Sequence, residues 1–217
     1  MGWDKEKISQ LSFWGGETLI HIENIQKHLP VIFSLFPNIN NFLISTNFSI
    51  NIEKFFNFLV DLNKLAINPI VVNLQLSIDG PNNSVMREQG HNVKEEIYYK
   101  NMETFCNLIN NTQLKNLEIH ISIRPTVSKN LYLTELNTYD KIKNYLTPFY
   151  EFIDVFANKC ISKSLMFSTL DIWPVLATPY YESSKDGRLL QNIERLWFQV
   201  VINEFKNIPL RRNVTLF

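Results

Sequence analysis

Cysteine is scarce in this chain. Its 217 residues include two, Cys106 and Cys160, far apart and in no CxxC pair. That spacing argues against a disulfide framework and against a structural zinc site. Glycine and proline are also few, at 6 and 9, which leaves no fibrous or low-complexity design open. Charge of one sign is missing too, because 21 basic and 21 acidic residues cancel. A neutral chain offers no broad electrostatic footprint, so neither nucleic acid nor a membrane is an expected partner. No apolar run approaches the roughly 20 residues of a membrane span. Asp4, Lys5, Glu6 and Lys7 stand where a secretory leader needs its apolar core, so a cytoplasmic location is expected. The four histidines, His21, His28, His91 and His120, share no metal-ligand spacing. No phosphate-binding loop, dinucleotide fingerprint or G-x-S-x-G elbow occurs.

What is present is an ordinary globular composition, 45% hydrophobic and 19% charged, long enough for one sizeable core. No linker or internal repeat divides it, so residues 1–217 are expected to form a single domain. Short β-rich runs at 11–14, 41–46, 69–78, 117–123 and 164–167 alternate with helical spacing at 22–36, 51–65, 93–110, 133–156 and 193–205. The fourth helical run is expected to be interrupted near Pro148. Strand-helix alternation predicts parallel βαβ units and an α/β fold. The strands read as near-continuous apolar runs covered by helices, with His120 packed between strand and helix. Two architectures remain open at this point, an open doubly wound sheet and part of a barrel. In both, ligands bind beyond the carboxyl ends of the strands, so the residues directly after each strand carry the functional information.

After the first strand comes Gly15-Gly16-Glu17-Thr18. Two glycines let a backbone pass close to a ligand, and a carboxylate beside them can accept from an ammonium group. A plain turn, with Glu17 favouring the helix dipole, is the alternative. Ser45-Thr46-Asn47 comes after the second strand, either as hydrogen-bonding ligands or as a turn. Ser77-Ile78-Asp79-Gly80-Pro81 comes after the third, with Arg87 further on. Ser77 and Asp79 suit hydroxyl groups and Arg87 suits a carboxylate; a tight turn with a solvated arginine is the alternative. Arg124-Pro125-Thr126 comes after the fourth, which puts Arg124 near the mouth of the sheet. A polar, aromatic segment, 178–188, lies between the last strand and the final helix.

The ordered phrases SFWGGETL, FLISTNFS, LQLSIDGP and IRPTVSKN resemble the second to fifth strands of the radical S-adenosylmethionine superfamily. They are most similar to its peptide- and protein-modifying branch, which includes the anaerobic sulfatase-maturating enzymes. The resemblance runs from about Ser9 to Asn130. It implies a partial (βα)6 TIM-like barrel with parallel strands, a [4Fe-4S] cluster on a C-x3-C-x2-C motif, and cleavage of S-adenosylmethionine to a 5′-deoxyadenosyl radical. It places Gly15, Gly16 and Glu17 at the methionine amino group, Ser45 and Asn47 beside the cofactor, and Ser77 near the ribose. It gives Arg124, or else Arg87, to the methionine carboxylate, and Asp79 to ribose or substrate. The chain departs from the family in having no C-x3-C-x2-C motif, and the resemblance implies that it lacks the family's first strand and cysteine loop. The expectation is a fragment whose parent modifies a peptide or protein, with a cluster-free binding module as the alternative. Loss of the first strand would expose an edge, so self-association is expected.

Overall fold

The computed structural model describes residues 5–77, 95–123, 136–159, 165–168, 192 and 195–205. Five strands, β1 (Gln10–Phe13), β2 (Asn41–Thr46), β3 (Ile70–Leu76), β4 (Leu117–Ile123) and β5 (Leu165–Ser168), alternate with helices. These are α1 (Ile22–Leu35), α2 (Ile52–Leu65), α3 (Glu95–Asn110) and α4 (Tyr139–Lys159). A short 3-10 turn, Thr18–His21, precedes α1. Residues 195–200 are helical and run into a π-helical turn, Val201–Phe205.

The strands form one sheet in chain order, β1-β2-β3-β4-β5, and every pairing is parallel. Among the described strands the order never reverses, as it would at the switch point of a doubly wound sheet. Right-handed crossovers between sequential parallel strands place successive helices on the same side. The side chains record that arrangement. Phe42, Ile44 and Thr46 of β2, then Ile70, Val72, Leu74 and Leu76 of β3, are buried toward the helices. The residues between them are only partly buried. Phe58 of α2 meets Phe42 edge-on at 6.4 Å, and Phe55 stacks on Phe105 of α3 at 5.7 Å. Burial of each such ring contributes about 1.5–3 kcal/mol.

Two expectations are corrected by this arrangement. The strands are not apolar on both faces; they alternate, because the helices cover one face. His120 therefore lies on the opposite face, where Nε2 meets Glu118 Oε1 at 2.8 Å. In addition, α4 continues through Pro148. The proline removes one bond to the Asn144 carbonyl, and the remaining turns of this 21-residue helix tolerate that loss.

The last helical segment is tied to α4 at its polar rim. Lys143 Nζ lies 2.6 Å from Glu204 Oε2, and the Tyr139 hydroxyl donates to Glu204 Oε1 at 3.0 Å. The Lys143 hydrogen bond lowers the Glu204 carboxyl below its ordinary value. The same bond raises Lys143, while desolvation and then Glu204 raise Tyr139. A lowered acid stabilises above its unfolded pKa and loses that contribution as pH falls through the folded value. A raised lysine or tyrosine stabilises below its unfolded pKa and loses the contribution as pH rises. Attachment of residues 195–205 is thus expected to hold between about pH 5 and 10 and to weaken on either side. Trp197, 2% exposed and 5.9 Å from Tyr145, reports it. With Trp3, Trp14 and Trp173 replaced by phenylalanine, its fluorescence should redshift at both extremes; a flat profile would contradict the assignment.

Candidate functional site at the strand carboxyl ends

The turn after β1 needs its glycines for backbone reasons. Gly15 has φ +93° and Gly16 φ +58°, a region where a β-carbon is strained. Beyond each glycine and its chain neighbours, no protein atom lies within 4 Å of where either β-carbon would stand, so the space over the turn is open. Glu17 comes next and caps the 3-10 turn: its Oε1 accepts from Leu19 N at 3.0 Å. The same oxygen accepts from the Thr46 hydroxyl, and Oε2 accepts from Asn47 N at 2.7 Å. Glu17 therefore fastens the end of β1 to the end of β2.

The loop after β2 is built around that anchor. Thr46, 1% exposed, donates to Glu17 and accepts from Phe48 N at 2.9 Å. Asn47 Oδ1 accepts from both the backbone N and the hydroxyl of Ser49, forming an Asx turn. Phe48 and Asn51 hold left-handed backbones at φ 55° and 56°. Asparagine adopts this conformation readily, but in phenylalanine it costs about 1–2 kcal/mol. The surroundings hold Phe48 in place. Its ring is fully buried, edge-on to Phe105 at 5.4 Å, and its carbonyl accepts from Asn101 Nδ2 at 2.8 Å. Asn51 Nδ2 donates to Leu19 O at 2.9 Å and closes the loop back onto the 3-10 turn. Packing and the Asn101 hydrogen bond thus hold the strained Phe48 backbone in place beside Ser45, Asn47 and Ser49.

Ser77, directly after β3, joins the same end of the sheet: its N donates to Thr46 O at 2.8 Å. The structure thus brings Gly15, Gly16, Glu17, Ser45, Asn47 and Ser77 together at the adjacent carboxyl ends of β1, β2 and β3. Asp79, Arg87 and Arg124 lie outside the described residues, as do His91, Cys160 and the 178–188 segment. No family model, curated protein or solved structure matches the chain.

Sequence reasoning misses the residues that hold the site. Thr46 lies within the Ser45–Asn47 triplet, yet the triplet's ligand chemistry points to its neighbours and gives Thr46 no role. The alternation of β2 is the signal: it turns Thr46 toward the helices and Ser45 away. Asn101 and the left-handed Phe48 have no local signature, since their roles depend on contacts across more than fifty residues.

The described residues hold no group of three or more metal-ligating side chains. Cys106 is buried at 1% exposure within α3. None of the described helices is long and apolar enough to cross a membrane.

Proposed function

We propose that the chain is the ligand-binding part of a partial βα barrel and holds S-adenosylmethionine at the carboxyl ends of its first four strands. The sequential, all-parallel strand order carries this reading, because twisted parallel strands added in one direction with helices on one side curl toward closure. The open Gly15-Gly16 turn gives a ligand room to approach its backbone, and the methionine ammonium is assigned to this turn. Three internal hydrogen bonds already occupy Glu17, so it acts mainly by holding that turn against the Ser45–Asn47 loop. Ser45 and Asn47 flank the cofactor, and Ser77 and Asp79 take the ribose hydroxyls. Arg124, next to β4 in sequence, takes the carboxylate, with Arg87 as its substitute.

The cluster implied by the family resemblance does not fit these residues. A [4Fe-4S] site of this kind needs three closely spaced thiolates. The chain has two distant cysteines. The thiolates of a radical peptide-modifying enzyme would therefore come from outside these 217 residues. The same cysteine count favours a second reading, a cluster-free binding module that keeps the cofactor pocket.

Both readings require the pocket. Calorimetric titration with S-adenosylmethionine is expected to show saturable binding, weakened about 10- to 100-fold by Arg124→Ala through loss of one charge-assisted hydrogen-bonded pair. No saturable heat from the unaltered chain would overturn the proposal.

A further inference from the structure

Trp14 links β1 to the Gly15-Gly16 turn. It is 58% exposed, and of the exposed apolar side chains among the described residues only Trp14 and Phe198 are aromatic. A tryptophan is usually well buried in a folded protein, because its ring is a large apolar surface to leave in water. Strand alternation accounts for its position. Leu11 and Phe13 pack against the core, with Phe13 stacked on Phe42 at 6.5 Å, while Gln10 and Ser12 are exposed. Trp14 comes next in that alternation and falls on the side of Gln10 and Ser12. The β1–β2 register sets Phe13 across from Ile44, and one residue further it sets Trp14 beside Ser45. On its other side no atom outside residues 15–17 lies within 4 Å of where Gly16 would carry a β-carbon. The indole thus stands between an open turn and a residue assigned to the cofactor.

The charges around it favour a cation. An indole face attracts a positive charge through its ring quadrupole, more strongly than phenylalanine or tyrosine does. Residues 8–26 and 28–53, which build the turn and the β2 loop, contain no lysine or arginine. The Glu17 carboxylate makes three internal hydrogen bonds in the same corner. S-adenosylmethionine carries a permanent positive charge on its sulfur. With the methionine ammonium at Gly15-Gly16, that sulfur lies only a short methylene chain away, whereas the adenine lies at the far end of the molecule.

We propose that Trp14 is a specificity-determining residue of the strand-end site, whose indole face takes the sulfonium of S-adenosylmethionine in a cation–π contact. This rests on the ligand reading given under Proposed function and adds to it a preference for a sulfonium over a neutral thioether. The test is calorimetric titration of the full chain, Trp14→Leu and Trp14→Phe, each with S-adenosylmethionine and with S-adenosylhomocysteine. The second compound keeps the base, the ribose and the amino acid, but its sulfur is uncharged. Leucine keeps an apolar side chain at this exposed position and removes the ring, so S-adenosylhomocysteine binding also checks that the variant's pocket is intact. The unaltered chain should prefer S-adenosylmethionine. Trp14→Leu should weaken S-adenosylmethionine binding about 3- to 30-fold, and Trp14→Phe by less, with S-adenosylhomocysteine binding unchanged in both. Equal losses for the two compounds would put the indole on the base and overturn the proposal. Unchanged S-adenosylmethionine affinity in Trp14→Leu would overturn it as well, and the ligand reading survives either result. No binding of S-adenosylmethionine to the unaltered chain would overturn both.

Discussion

Phe105→Ala is expected to destabilise the fold by about 3–5 kcal/mol, the range for removing a fully buried ring. Phe105 is completely buried on α3 and bridges two parts of the molecule. It stacks on Phe55 of α2 at 5.7 Å and meets Phe48 edge-on at 5.4 Å. Its loss opens a cavity between two helices and also releases the ring that holds Phe48 in a left-handed backbone. The damage should therefore reach the strand-end site as well as the core. Urea unfolding measures the first effect, and hydrogen exchange at residues 46–51 measures the second. Val31→Ala, at a position 55% exposed, should stay within about 0.5 kcal/mol of the parent and serves as the control. Comparable costs for the two variants would contradict the packing described.

Glu17→Ala is expected to cost roughly 3 kcal/mol, or about 6–12 °C in melting temperature for a domain of this size. The carboxylate accepts from Leu19 N, the Thr46 hydroxyl and Asn47 N, so its removal takes the cap from the 3-10 turn and the anchor from the β2 loop. Hydrogen bonds to a charged acceptor are the costly ones to lose, and Thr46 is too buried to recover its bond from water. Glu17→Gln should recover only part of the loss. It keeps one oxygen acceptor and turns an amide nitrogen, a donor, toward either the Asn47 N–H or the Thr46–Leu19 pair. Differential scanning fluorimetry of the three proteins gives the ranking, and a Glu17→Ala protein as stable as its parent would remove Glu17 from this role.

Much of the fold is legible in the sequence because it depends on local pattern. The run NFLIST forms β2 at the expected residues, and LEIHISI forms β4. Phe55, Phe58, Leu59 and Leu62 are spaced for one face of a helix, and that face is buried. The strand ends are legible as a place, because parallel strands in chain order gather their carboxyl-terminal loops at one end of the sheet. The character of the second sheet face is harder to read. A run such as PIVVNLQLSI looks uniformly apolar until Asn73 and Gln75 are counted at every second position, and that alternation marks the face that the described helices leave uncovered. Proline signals a break at residue 148 that the long helix absorbs. Glu17 suggests ligand chemistry in the sequence, since its partners Thr46 and Asn47 lie about thirty residues away and meet it only once β1 and β2 pair.

Hydrogen exchange of the full chain with and without S-adenosylmethionine tests the ligand-binding reading most directly. Protection concentrated at residues 14–19, 45–49 and 77, with little change in α4, is the expected result. Unchanged exchange at saturating S-adenosylmethionine, or protection confined to segments away from the strand carboxyl ends, would contradict it.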